Sequence, residues 1–124
     1  MKYVEMYKFY NANKKDRYVN DCTIRAISLA EGKSWQETYD ELSYLAGKNG
    51  IILDDVNFIE PLLDSRYKRV HYQNKYVGEF VESHPRGIYL ICMRNHITCC
   101  YDGCVYDTFN CLGRIITKVW KVSD

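Results

Sequence analysis

The chain has 124 residues, 47% of them apolar, which suits a single domain over residues 1–124 with one core and one site. Its 17 basic and 16 acidic residues leave a net charge of +1. That balance gives no electrostatic footprint for nucleic acid or an anionic membrane, and without a basic stripe the twelve tyrosines read as packing rather than base-stacking groups. Lys2, Glu5 and Lys8 break up the N-terminal apolar residues, so no signal peptide or membrane span is expected there and the expected compartment is the cytoplasm. Five of the six cysteines fall between Cys92 and Cys111, with Cys99 and Cys100 adjacent, a spacing that suits reduced thiols better than a disulfide framework.

In chain order, residues 3–10 mix aromatic and charged side chains and read as an edge strand or extended arm, followed by a polar loop over 11–20. Ile24, Ala26, Ile27, Leu29 and Ala30 then predict a buried helix with Gly32 as its C-terminal cap. Ser34 and Glu37 form a capping box for a second helix, whose expected inner face is Trp35, Tyr39, Leu42 and Leu45 or Ala46, closing at Gly47. A third helix is expected after Asp54 or Asp55, with Val56, Ile59, Leu62 and Leu63 inward and Pro61 limiting or kinking it. Residues 67–72 read as a short strand, and 76–83 as a helical turn or two burying Val77, Phe80 and Val81. From Gly87 the period becomes that of strands, at 88–93, 96–101, 104–109 and 115–122. Helices followed by antiparallel strands predict an α+β layout, N-terminal helices packed on a C-terminal antiparallel sheet.

Cys22 stands where the polar loop turns into the first helix. Unpaired N–H groups and the positive end of the macrodipole favour thiolate there, which makes Cys22 a candidate nucleophile. Asp102-Gly103 is a preferred two-residue type I′ turn and would pair Tyr101 with Cys104, Thr98 with Asp107 and His96 with Phe109. That register puts His96 and Asp107 on one face as diagonal neighbours, roughly 7 Å apart at the backbone and within hydrogen-bonding reach. A carboxylate so placed can hold one imidazole nitrogen and leave the other facing the partner helix. Nucleophile, base and orienting group are what covalent acyl transfer requires.

The order Cys22, His96, Asp107, from a first long helix to consecutive strands, resembles the papain-like cysteine peptidase superfamily. Asp21-Cys22 opening a helix is similar to the peptidase domains that trim leader peptides after double glycine. Asn20-Asp21-Cys22-Thr23-Ile24-Arg25-Ala26, Gly32-Lys33-Ser34-Trp35, the segment 77–85, and Asp102-Gly103 through Tyr106-Asp107-Thr108 together resemble small uncharacterised papain-like proteins of bacteria and their phages. The resemblance implies a thiol hydrolase acting on a peptide or protein substrate without a cofactor, with Cys22 as nucleophile, His96 as base and Asp107 as orienter. Such enzymes usually take an oxyanion donor from a Gln upstream of the Cys; here Asn20 is the available amide, beside the Cys22 N–H. Asp21 would raise the thiol's pKa unless its carboxylate turns away to cap the helix.

Two other readings stay open. One is a catalytically inactive papain-like scaffold that acts as a binding or inhibitor protein. The other is a metal site at Cys99, Cys100, Cys104 and Cys111, disfavoured because adjacent strand residues point to opposite faces and no CxxC pair occurs. Arg25, one turn beyond Cys22, could meet a substrate carboxylate but reads first as a solvated or salt-bridged residue, and His71 and His84 read as structural or surface histidines.

Overall fold

The computed structural model describes residues 6–13, 15, 21–53 and 55–123. In chain order these form β1 (Tyr7–Phe9), α1 (Cys22–Glu31), α2 (Trp35–Lys48), α3 (Val56–Arg66), β2 (Lys68–Arg69), α4 (Val77–Ser83), β3 (Ile88–Met93), β4 (His96–Tyr101), β5 (Cys104–Asp107) and β6 (Ile116–Ser123). The result is a mixed α+β fold, four helices and a six-stranded sheet among the described residues, with strand order β1, β5, β4, β3, β6, β2. None of these helices is long and apolar enough to cross a membrane.

Local chemistry sets the helix boundaries. Gly32 takes the left-handed φ of 69° that closes α1, with its N–H on the Leu29 carbonyl and that of Lys33 on Ser28. In α2 the Ser34 hydroxyl accepts the Glu37 N–H at 3.0 Å while the Glu37 carboxylate accepts the Ser34 N–H at 3.0 Å. The helix does not stop at Gly47: a glycine can hold helical dihedrals, so α2 runs on to Lys48 and the chain turns at Gly50, φ 66°. Its buried residues are Thr38, Leu42 and Ala46, whereas Tyr39 is exposed and stacks on Trp35, ring centroids 5.2 Å apart. Asp55 caps α3 through the Asn57 N–H at 2.8 Å, and the helix continues through Pro61 with Phe58 and Leu63 buried. Val56, expected inward, is 58% exposed.

The sheet follows the expected alternation in its centre. β4 and β5 pair as Tyr101 with Cys104, Cys100 with Val105 and Cys99 with Tyr106, and both turn residues, Asp102 at 49° and Gly103 at 77°, have the positive φ of a type I′ hairpin. Gly103 is needed twice, since a Cβ there would lie 3.1 Å from Pro85 Cα. The edges differ from expectation. β1 joins β5 in parallel, which makes the sheet mixed rather than wholly antiparallel, and the strand expected at 67–72 is reduced to Lys68 and Arg69. β5 ends at Asp107 instead of 109, because the chain leaves the ladder there for the loop that leads to β6.

Strand alternation divides the interior into two cores. Ile24, Ile27 and Leu42 from α1 and α2, with Phe58 and Leu63 of α3, pack on Leu90, Ile97, Cys99 and Trp120. Burying each such side chain is worth roughly 1.5–3 kcal/mol. On the opposite face Val77, Phe80 and Val81 of α4, with Cys111 and Leu112, cover Ile91, Cys100, Val105 and Val119. Helices therefore flank both faces, and α1 starts where β4 starts, at the rim between the two cores.

Candidate active site

Cys22 is the first residue of α1, so its thiol sits among first-turn N–H groups that have no partner within the helix. Facing it is His96, the first residue of β4, delivered by a two-residue turn in which Asn95 adopts φ 60°. Asparagine tolerates that left-handed conformation, which suits its place before the histidine. Asp107, the last residue of β5, accepts a hydrogen bond from His96 Nε2 at 2.7 Å through Oδ2. This is the diagonal pair that the Asp102-Gly103 register requires. Nδ1 is then the ring nitrogen left for Cys22, with which His96 makes a side-chain hydrogen bond. Phe109 lies against the imidazole, ring centroids 4.7 Å apart, and partly covers it from solvent.

The electrostatics separate this thiol from the others. Burial pushes Cys22 up, but the His96 hydrogen bond, a backbone bond at Ile97 and the charges of His96 and Arg25 outweigh it and hold the thiol below its ordinary value. For His96 burial pulls down, yet the hydrogen bonds to Asp107 and Cys22 raise it to about 9. Asp107 is held below the usual carboxylate range: burial opposes this, and the His96 hydrogen bond and charge prevail. The two shifts run in opposite directions, both favouring thiolate and imidazolium over neutral thiol and imidazole. The remaining five cysteines are all shifted upward, chiefly by burial, Cys92, Cys100 and Cys111 to about 12. Position in the fold, not residue type, decides which way each thiol is shifted.

Around the trio the backbone is fixed from several sides. Tyr7 OH and Tyr10 N–H both donate to the Asp107 carbonyl, at 3.2 and 2.9 Å, so the parallel edge strand anchors the carboxylate's backbone. The carboxylate's Oδ1 accepts the Thr108 N–H at 2.7 Å. Cys22 and His96 open onto a cleft of about 460 Å³ whose far wall is Val56, Ile59 and Glu60 of α3, with Cys92 at its side. Val56 and Ile59 make that far wall largely aliphatic.

No family model, curated protein or solved structure matches this chain. Geometry alone carries the functional reading.

Several expectations change on contact with the structure. Asn20 lies outside the described residues. Asp21 does not cap α1: its side chain makes no capping bond and instead accepts from Arg25 Nε at 2.8 Å and Trp35 Nε1 at 2.9 Å. Of the two states expected for Arg25, solvated or salt-bridged, the structure shows the second: it is ion-paired with Asp21 and Asp107, its side chain only 12% exposed. The cysteine quartet is split, since Cys99 belongs to the core under α1 and Cys100 to the core under α4. Ligand atoms of His96, Asp107 and Cys111 do lie within 4.8 Å of one another. Asp107 is already paired with Arg25 and His96, and burial keeps the Cys111 thiol protonated, so a proton network suits this trio better than a cation does. His84 is structural, stacked on Phe80 at 3.8 Å with Nδ1 2.8 Å from the Phe80 carbonyl oxygen, and His71 is exposed. The cleft wall from α3 had one sequence signal, an aliphatic pair on a capped helix, but nothing in the sequence says which neighbour it faces.

Proposed function

We propose that this protein is a cysteine peptidase or related thiol acyl hydrolase with a papain-like site, in which Cys22 is the nucleophile, His96 the acid and base, and Asp107 the orienter. The observation that carries the reading is a thiol at a helix start, sharing one cleft with an imidazole that a buried carboxylate holds at 2.7 Å, and the direction of its pKa shift, down where the other five thiols go up, agrees with it. The thiolate attacks the carbonyl carbon of a peptide or acyl substrate seated in the cleft, and the electron pair moves to the carbonyl oxygen. First-turn N–H groups of α1, that of Cys22 foremost, stabilise the oxyanion, with the Asn20 amide as the side-chain donor the sequence offers. As the carbon–nitrogen bond breaks, His96 gives its proton to the leaving amine, and a thioester remains on Cys22. Neutral His96 then takes a proton from water, hydroxide adds to the thioester, and the acid leaves as thiolate and imidazolium are restored. Asp107 stays ionised throughout and fixes the ring so that Nδ1 does this work.

A library of peptidyl amides and peptidyl thioesters, followed by acid quench and intact-mass analysis, tests the reading. Cys22-linked acyl adducts and product formation that vanish in Cys22→Ser are expected. If neither an adduct nor Cys22-dependent product forms, the scaffold binds without chemistry and the proposal fails.

A further inference from the structure

Asp107 presents two oxygens, and each has its own partners. Oδ2 receives His96, whereas Oδ1 receives Arg25 Nη1 at 2.8 Å and the Thr108 N–H at 2.7 Å. The same guanidinium donates through Nε to Asp21 Oδ1 at 2.8 Å, and Asp21 Oδ2 is held by the Trp35 indole at 2.9 Å. Trp35, Asp21, Arg25, Asp107 and His96 thus form one continuous chain of bonds. It runs from the start of α2, through α1, to a carboxylate that by strand alternation belongs to the face covered by α4. The side chains of Arg25, Asp21 and Asp107 are 12%, 4% and 3% exposed, so their interactions are shielded from solvent.

We propose that Arg25 is a positioning residue for the Cys22 and His96 pair: its fork fixes the plane of Asp107 against His96 and neutralises Asp21, the acid next to Cys22. The inference rests on the thiol hydrolase reading and adds to it a residue that touches neither substrate nor the reacting atoms. Two features require arginine. Its two donors are rigidly spaced and bind two separate carboxylates at once, which a lysine ammonium does not do with fixed geometry. Its charge also offsets two buried carboxylates that otherwise face a thiolate. Asp21 is the neighbour whose charge would keep the thiol protonated, and the bond to Arg25 removes that effect.

Among the described residues the charged groups around Cys22 are few. His96 faces it from β4, Arg25 and Asp21 from α1 and its cap, and the ion-paired Glu60 and Lys118 stand across the cleft on α3 and β6, with the Cys92 thiol held neutral on β3. The pH profile of Cys22 alkylation by iodoacetamide, followed by peptide mass spectrometry in the full chain, therefore reports this arrangement. Arg25→Gln is expected to move the profile upward by at least about one pH unit, and Arg25→Lys by less. Asp21→Asn, which leaves Arg25 on Asp107, is expected to move it downward, and Asp21→Asn combined with Arg25→Gln to bring it back toward the unsubstituted protein. A merely structural Arg25 would lower the melting temperature and leave the profile of the folded protein in place, which overturns the proposal. If Arg25→Gln does not fold, Asp21→Asn decides, since an unmoved or upward profile contradicts the neutralising role. An unsubstituted protein in which Cys22 titrates like an ordinary thiol instead overturns the thiol hydrolase reading itself.

Discussion

Cys22 packs against the apolar core that encloses Cys99, and its backbone contact at Ile97 lies two residues from Cys99 along β4, yet the two thiols are opposite in character. Cys99 is fully buried among aliphatic side chains of α1 and β3, no cation among the described residues offsets its desolvation, and burial drives its thiol far up. Cys22 is half-buried at the rim, where helix N–H groups, an imidazolium and a guanidinium converge. Desolvation acts on both and penalises the charged form in both. The difference is that the rim supplies partners for a thiolate and the middle of the strand supplies none. Elements that end together gather such partners, because free donors occur at helix starts and strand ends bring side chains to the same rim.

The strongest way to break this contrast is to remove the thiol at the rim. Cys22→Ser is expected to lower acyl-transfer turnover by on the order of 10⁴-fold or more while leaving the melting temperature nearly unchanged. Turnover that survives would move the nucleophile elsewhere. Next in size is the pH dependence of folding. His96 is raised from 6.5 to about 9, so its charged form contributes roughly 3 kcal/mol that is fully present below pH 6.5 and lost as pH rises through about 9. Urea unfolding between pH 6 and 10 should show that loss, and His96→Ala should flatten it.

The middle of β4 gives the converse test. Cys99→Ser buries a hydroxyl where the thiol is fully enclosed and should cost about 1–3 kcal/mol in chemical denaturation, with the pH profile of Cys22 alkylation unmoved. A shifted profile would mean that the two regions are not independent. Gly103→Ala is the mildest change: it strains a φ of 77° and crowds Pro85, costing roughly 1–2 kcal/mol, and should weaken the hairpin that sets His96 against Asp107.

What the sequence made legible is short-range. Asp102-Gly103 carries its own turn geometry, and from that turn the parity of β4 and β5 follows, which is why the His96 and Asp107 pairing could be worked out on paper. Ser34 with Glu37, and Gly32 after the apolar run, likewise encode their boundaries within a few residues. Gly47 and Gly50 show the limit, since both are glycines and only the observed φ distinguishes the helical one from the turn. Contacts between distant segments left no local trace. Arg25 looks like any helix arginine until Asp107, 82 residues later, arrives beside it, and Trp35 reads as a core aromatic until its indole meets Asp21. The parallel docking of β1 on β5 is of the same kind, and it anchors the backbone of Asp107.

The proposed site stands on Cys22 and His96 forming a thiolate and imidazolium pair. It is tested most directly by measuring alkylation of Cys22 by iodoacetamide from pH 5 to 9, against Cys104 and Cys111 in the same digest, in the intact protein and in His96→Ala. Cys22 is expected to label at neutral pH at least about 10-fold faster than either other cysteine, and the advantage to disappear without His96. Labelling of Cys22 no faster than that of Cys104 or Cys111, and unchanged by His96→Ala, would contradict it.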